Sequence, residues 1–136
     1  MKTAVIYYSY GGNTRAVAEG LAESEGAELI EIKDKRRPSK ARAYSAGCLG
    51  AIRGSAWASQ PLGSDLADFE KLIFCSPIWA SNVPPVVNVV LKALPSGKIV
   101  AFRLVSASGK SECSERLGAL VAAAGSTLEG IEDVKK

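Results

Sequence analysis

Five runs rich in β-branched and aromatic residues, separated by stretches with helical spacing, set narrow limits on what this chain can fold into. "KTAVIYYS" (2–9), "AELIEIK" (27–33), "KLIFCS" (71–76), "GKIVAFRLVS" (97–106) and "STLEGI" (126–131) read as strands. Between them, "NTRAVAEGLAES" (13–24) places Val17 and Leu21 at i, i+4 spacing, as an amphipathic helix does. "PPVVNVVLKAL" (84–94) opens on prolines, which suit a first helical turn, and repeats Val86, Val89, Val90 and Leu94 at helical intervals. "SECSERLGALVAAAG" (111–125) opens on Ser111 and stops at Gly125, a residue suited to ending a helix. "KARAYSAGCLGAIR" (40–53) is a weaker helix, since Gly47 and Gly50 each cost about 1 kcal/mol against alanine. Residues 54–67, rich in Gly, Ser and Ala, read as a loop. The order β-α-β-(α)-β-α-β-α-β predicts an α/β fold: a doubly wound, five-stranded parallel sheet with helices on both faces. Ligands of such sheets bind beyond the carboxyl ends of the strands, which here means residues 9–14, 76–83 and 106–111.

A length of 136 residues suits one domain, residues 1–136, with a core that needs no disulfides. The chain has no histidine, which excludes Ser–His and Cys–His catalysis and any metal site built on imidazole, and no metal-ligand pattern is visible. Cys48, Cys75 and Cys113 show no CxxC spacing; an odd count without a secretory leader predicts reduced thiols and a cytoplasmic address. No apolar run is long enough to span a bilayer. The net charge of +3 is concentrated: "KDKRRPSKAR" (33–42) holds six of the 17 basic residues and one of the 14 acidic ones, so the rest is weakly acidic. No aromatic side chain is interleaved with that basic run, so nucleic acid is not an expected partner. The run reads as a solvated segment or as a docking patch.

The stretch "SYGGNTR" (9–15) stands between the first strand and the first helix. Gly11 and Gly12 allow a sharp turn and close approach of a ligand to the backbone. A helix start offers unpaired N–H groups and the positive end of the peptide dipoles, which together favour an anion. Ser9 and Thr14 add hydroxyls. Either this turn cradles a phosphate, or it is a tight strand-to-helix turn with Asn13 or Thr14 as N-cap. The Walker pattern GxxxxGK[ST] and the dinucleotide pattern GxGxxG are both absent. Tyr8, Ser9 and Tyr10 stand where a phosphate-accepting response regulator would need carboxylates.

"VIYYSYGGNTRAVAEGLA" resembles the FMN phosphate loop of the flavodoxin family, (S/T)-x-(S/T)-G-x-T. Ser9, Gly12 and Thr14 match, and Gly11 stands at the third hydroxyl position. "SPIWASNVPPVV" (76–87) is similar to the family's P-I-W-x-G-x-x-P loop after strand three, whose Trp lies against the flavin ring. "SASGKSE" (106–112) resembles the Ser-Gly-rich loop under the pyrimidine end of that ring. The resemblance implies strand order 2-1-3-4-5 and FMN as cofactor, held by Ser9, Tyr10, Gly11, Gly12, Asn13 and Thr14, by Pro77, Ile78, Trp79, Ala80, Ser81 and Asn82, and by Ser106, Ala107, Ser108 and Gly109. Lys110 would add positive charge beside the reduced flavin. Ser81 stands where the family has glycine, a position that needs positive φ, so weak stabilisation of one-electron-reduced flavin is expected.

No residue is assigned a catalytic role, because the flavin itself would carry the redox chemistry. The expected function is electron transfer to a redox partner protein, or a small reductase linked to NAD(P)H or a quinone-like acceptor. A sequence pI near 8.8 departs from the acidic norm of carrier flavodoxins, and the 106–112 loop lacks an aromatic to cover the second ring face. That leaves room for a substrate, or for a homodimer over the open face. The alternative is a flavodoxin-like interaction module that no longer binds flavin. Trp57 reads as a packing or partner-contact residue. The cysteines read as structural, with Cys113, near a helix start, the one placed to favour a thiolate.

Overall fold

The computed structural model describes residues 1–136. β1 (Thr3–Tyr7), β2 (Glu28–Glu31), β3 (Lys71–Pro77), β4 (Ile99–Ser106) and β5 (Thr127–Lys135) form one sheet in the order β2-β1-β3-β4-β5. Every pairing is parallel. The expected topology is the observed one.

β1, β3 and β4 are buried on both faces, which is why they are continuous in apolar residues rather than alternating. One parity (Ile6, Leu72, Phe74, Val100, Phe102, Leu104) builds the main core together with Val86 and Val87 of α4 (Pro85–Leu91) and Leu117 and Val121 of α5 (Ser114–Ala123). Phe74 and Phe102, register partners on β3 and β4, stack with centroids 5.6 Å apart. The opposite parity (Val5, Tyr7, Ile73, Cys75, Ala101) meets Ala18 and Ala22 of α1 (Asn13–Glu25). Small alanines let that helix lie close to the sheet. On the same face, beyond α1, the strands carry charge: Lys71 pairs with Glu129 at 2.8 Å and Arg103 with Glu132 at 3.3 Å.

Three elements differ from expectation. β5 runs nine residues rather than six, to Lys135, because its pairing with β4 resumes after a register shift between Val100 and Ala101 and continues as far as Ser106. α5 begins at Ser114, not Ser111, with Cys113 as N-cap. Residues 40–53 are helical, but not uniformly: α2 (Lys40–Arg42) opens into a π turn at Ala43–Gly47 and returns to α geometry as α3 (Cys48–Arg53). The Cys48 N–H reaches back five residues to the Ala43 carbonyl. The two glycines that weaken this helix have a tertiary reason. A Cβ on Gly47 would lie 2.7 Å from Cζ3 of Trp79, and one on Gly50 would lie 2.9 Å from Cγ of Pro85. Glycine lets the helix backbone rest directly on both side chains. Arg116 of α5 then caps the end of α3, donating to the carbonyls of Ala51 and Ile52, each at 2.7 Å.

Candidate functional site

The turn after β1 is closed from within. Ser9 Oγ accepts the N–H of Gly12 at 2.9 Å, and Gly12 takes φ 104°, ψ −17°. Gly12, rather than Asn13 or Thr14, is the N-cap of α1, and no side chain caps the helix. The amides of Asn13, Thr14 and Arg15 therefore have no protein acceptor, and the first bond of the helix runs from Ala16 N–H to the Gly12 carbonyl. A Cβ on Gly11 or Gly12 would meet nothing within 4 Å. The turn is an open cradle of N–H groups on a thirteen-residue helix, with Thr14, only 2% exposed, at its base.

A cleft of about 300 Å³ continues from this cradle. Ser9, Tyr10, Gly11, Asn13 and Thr14 line one end; Pro77, Ile78 and Trp79, from the end of β3, line a second wall; Val105, Ser106 and Ala107, from the end of β4, line a third. Parallel pairing brings these three strand ends to one edge of the sheet, where the order changes direction at β1 and β3. The amides of Ala107 and Ser108 donate to no protein acceptor, whereas those of Gly109 and Lys110 are taken by Ser106 Oγ and Ser108 Oγ.

Trp79 is held from several sides. Tyr8 and Tyr10 meet it edge-on, with centroids 6.1 and 6.0 Å away, and Gly47 backs it. Those tyrosines are fixed in turn. Tyr8 Oη donates to Asp34 Oδ2 at 2.6 Å, and Tyr10 Oη donates to the Pro38 carbonyl at 2.8 Å. The Arg37 guanidinium lies 4.2 Å from the Tyr10 ring centre and donates to the Tyr10 carbonyl. Part of the basic run thus braces the site.

Of the residues expected at the site, Gly12, Ala80, Ser81, Asn82, Ser108 and Gly109 do not line the cleft. Ala80 and Ser81 form a two-residue turn with φ 49° and 68°, closed by paired backbone bonds between Trp79 and Asn82. Both pay the steric cost of left-handed backbone that the sequence expectation placed on Ser81 alone. The Ser81 carbonyl accepts the Glu112 N–H at 2.9 Å, and Asn82 joins the Ala80 carbonyl to Arg116. Lys110 does not line the cleft; Lys136, at the end of the lengthened β5, does. No sequence signal pointed to Lys136, because its position depends on how far β5 pairs with β4. Trp57 packs under Arg42, whose guanidinium carbon is 5.1 Å from its ring centre.

Burial pushes the Asp34 carboxyl up, against the Tyr8 hydrogen bond and the Arg37 charge, which lower it. The folded chain therefore binds that proton more tightly than the unfolded chain. Stability falls as pH rises from the ordinary carboxylate value through the raised one, then levels off. Asp34→Asn, which keeps an acceptor for Tyr8, is expected to remove that decline and to be no less stable at pH 7. Urea midpoints of both proteins between pH 4 and 7 check this.

The expectation that the place of Cys113 favours a thiolate is corrected. The side chain is 1% exposed, and burial pushes its thiol up. Burial pushes the Cys75 thiol up to about 12. Cys48 alone is partly exposed. A bulky thiol reagent is expected to label one cysteine per native chain and three per unfolded chain; rapid native labelling of Cys113 would contradict this burial.

No family model matches the sequence, and no curated protein does. Solved structures do. A Lactobacillus acidophilus flavoprotein crystallised in complex with FMN aligns at TM-score 0.74 and 22% identity, over 96% of this chain and 91% of that one. A Bacteroides eggerthii protein assigned as a flavoprotein aligns at TM-score 0.82 and 19% identity, over 96% and 86%. The two-electron-reduced flavodoxin of Megasphaera elsdenii aligns at TM-score 0.60 and 16% identity, over 96% and 83%. With a five-stranded parallel sheet in the order 2-1-3-4-5 and helices on both faces, this chain has the flavodoxin fold.

Proposed function

We propose that this chain binds FMN and passes electrons between that flavin and a protein partner. One observation carries the reading: the free amides of Asn13, Thr14 and Arg15 open onto a cleft that also holds Trp79 and the loop after β4. The residues fit the cofactor. The cradle can hold a phosphate dianion through N–H groups, the helix dipole and the Ser9 and Thr14 hydroxyls. Trp79 offers an indole, and the free amides of Ala107 and Ser108 are suited to the polar edge of a flavin. FMN, when bound, supplies the redox chemistry. The protein's part is to hold the phosphate, orient the ring against Trp79 and exclude water from one side of it. Ser9, Tyr10, Gly11, Gly12, Asn13 and Thr14 would form the phosphate end, and Pro77, Ile78, Trp79, Ser106 and Ala107 the ring end. Ala80, Ser81, Asn82, Ser108 and Gly109 would act by shaping the two loops.

No helix is long and apolar enough to cross a membrane. The reading places the protein in the cytoplasm, among protein redox partners. The competing reading, a flavin-free interaction module, rests on Gly11 and Ser81. Titration with FMN separates them: quenching of the flavin fluorescence at one equivalent and a rise in melting temperature support the redox reading, and neither effect at excess FMN overturns it. Consumption of NADH or NADPH by the FMN-loaded protein with a quinone would move the function from carrier to reductase.

A further consequence concerns Gly11. Its Cβ position is open and its backbone is not left-handed, so serine fits there. Gly11→Ser is expected to add a donor to the phosphate and to tighten FMN binding about tenfold, with riboflavin unaffected, since a hydrogen bond to a charged group contributes roughly 1.5 kcal/mol at the low end. Paired titrations with FMN and riboflavin check it.

A further inference from the structure

We infer that the outer face of the 40–53 helix is a docking surface for an acidic protein. Five large apolar side chains are exposed on the whole chain, and three of them stand on this one helix: Tyr44 at 85%, Leu49 at 47% and Ile52 at 50%. The π turn aligns them. Tyr44 and Leu49 are five residues apart, one turn by its i→i+5 bonding, and Leu49 and Ile52 are three apart, the ordinary neighbour spacing. The inner face is occupied by Ala43, Gly47, Gly50 and Ala51, all buried. The apolar outer residues are therefore not left over from core packing.

Charge says what covers them. Lys40, Arg42 and Arg53 stand on this helix, Lys35 and Arg36 line a neighbouring groove with Arg42, and none of the five is among the four ion pairs of the structure. Five cations outside any ion pair, on and beside an apolar stripe, complement a surface of Asp and Glu around an apolar centre. A groove of about 280 Å³ between Tyr44, Cys48, Tyr10 and Trp79 runs from this face to the indole. A side chain of the partner seated there would touch Trp79, which also lines the proposed flavin cleft. A protein that can fill this groove suits the site better than a lipid surface, which meets only the outer stripe. The identity of the face as the electron-transfer contact rests on the FMN reading; the docking itself does not.

The test is an amide-resonance titration of the protein, with and without FMN. Three probes are used: an acidic plant-type ferredoxin, a basic c-type cytochrome, and phosphatidylglycerol vesicles. The ferredoxin is expected to shift amides within 40–53 at 20 mM NaCl, whether or not flavin is bound, and to bind at least tenfold more weakly at 200 mM. Lys40→Glu/Arg42→Glu/Arg53→Glu is expected to weaken it at least tenfold. Tyr44→Ala/Ile52→Ala is expected to weaken it severalfold, with the melting temperature unchanged. Cytochrome or vesicle binding through 40–53, no ferredoxin shifts at low salt, or no effect of the charge reversals overturns the proposal. Failure to bind FMN alongside an intact ferredoxin map would overturn the redox reading and leave the docking surface standing.

Discussion

Gly12→Ala is expected to raise the dissociation constant for FMN at least tenfold while leaving riboflavin binding within twofold. Gly12 holds φ 104°, which costs an L-residue about 1–3 kcal/mol. Alanine would relieve that cost by rotating the peptide that leads into α1. The Gly12 N–H would leave Ser9 Oγ, and the amides of Asn13, Thr14 and Arg15 would no longer converge on one point. Each 1.4 kcal/mol of lost phosphate binding is a factor of ten. The melting temperature is expected to fall by a few degrees, about 2–8 °C per kcal/mol for a domain of this size range. The riboflavin control decides the interpretation. A merely destabilised fold would weaken both ligands, whereas a damaged phosphate cradle weakens only the one that carries phosphate. Equal losses for the two flavins would remove the anion-binding role from this turn.

Gly47→Ala is expected to do the converse, weakening FMN and riboflavin alike. In an open helix this substitution would gain about 1 kcal/mol. Here the new Cβ would stand 2.7 Å from Cζ3 and 3.0 Å from Cε3 of Trp79, and overpacking of that kind costs about 1–3 kcal/mol. The two effects nearly cancel in overall stability, but the indole must move, and Tyr8 and Tyr10 at its edges leave it little room. Loss of a stacking partner worth roughly 1–3 kcal/mol predicts about five- to 150-fold weaker flavin binding. Melting curves and titration with both flavins check it. A variant that binds both normally would show that Trp79 does not govern the ring.

The two substitutions also mark how far the sequence could be read. The open turn between β1 and α1 was legible from residues 9–14, because strand, glycine pair and helix start are neighbours in the chain and the turn obeys local rules. The alternative reading of that turn put the cap at Asn13 or Thr14, and there the structure differs. Side-chain capping is the common solution, and this helix instead starts bare at Gly12. The support behind Trp79 was not legible. Gly47 and Gly50 looked like defects in a helix because the rule for a lone helix is propensity. Their purpose is contact with Trp79 and Pro85, which lie more than thirty residues away. Cys113 was read as structural, and its burial agrees; only the thiolate suggested by its place near a helix start fails, because the packing of α5 on the sheet buries it. Lys136 could not be anticipated, since the extent of β5 pairing along β4 sets where the chain emerges.

The sequence by itself determined a parallel sheet and the polarity of its edges, because the alternation of apolar strands and amphipathic helices leaves few ways to bury both faces of β1, β3 and β4; its order followed only from the resemblance to the flavodoxin family. Only the tertiary structure decided which side chains share the cleft, which cations stand outside ion pairs and why a helix tolerates two glycines. Those depend on contacts between segments distant in the chain, and close packing lets a neighbour's shape overrule a residue's local preference.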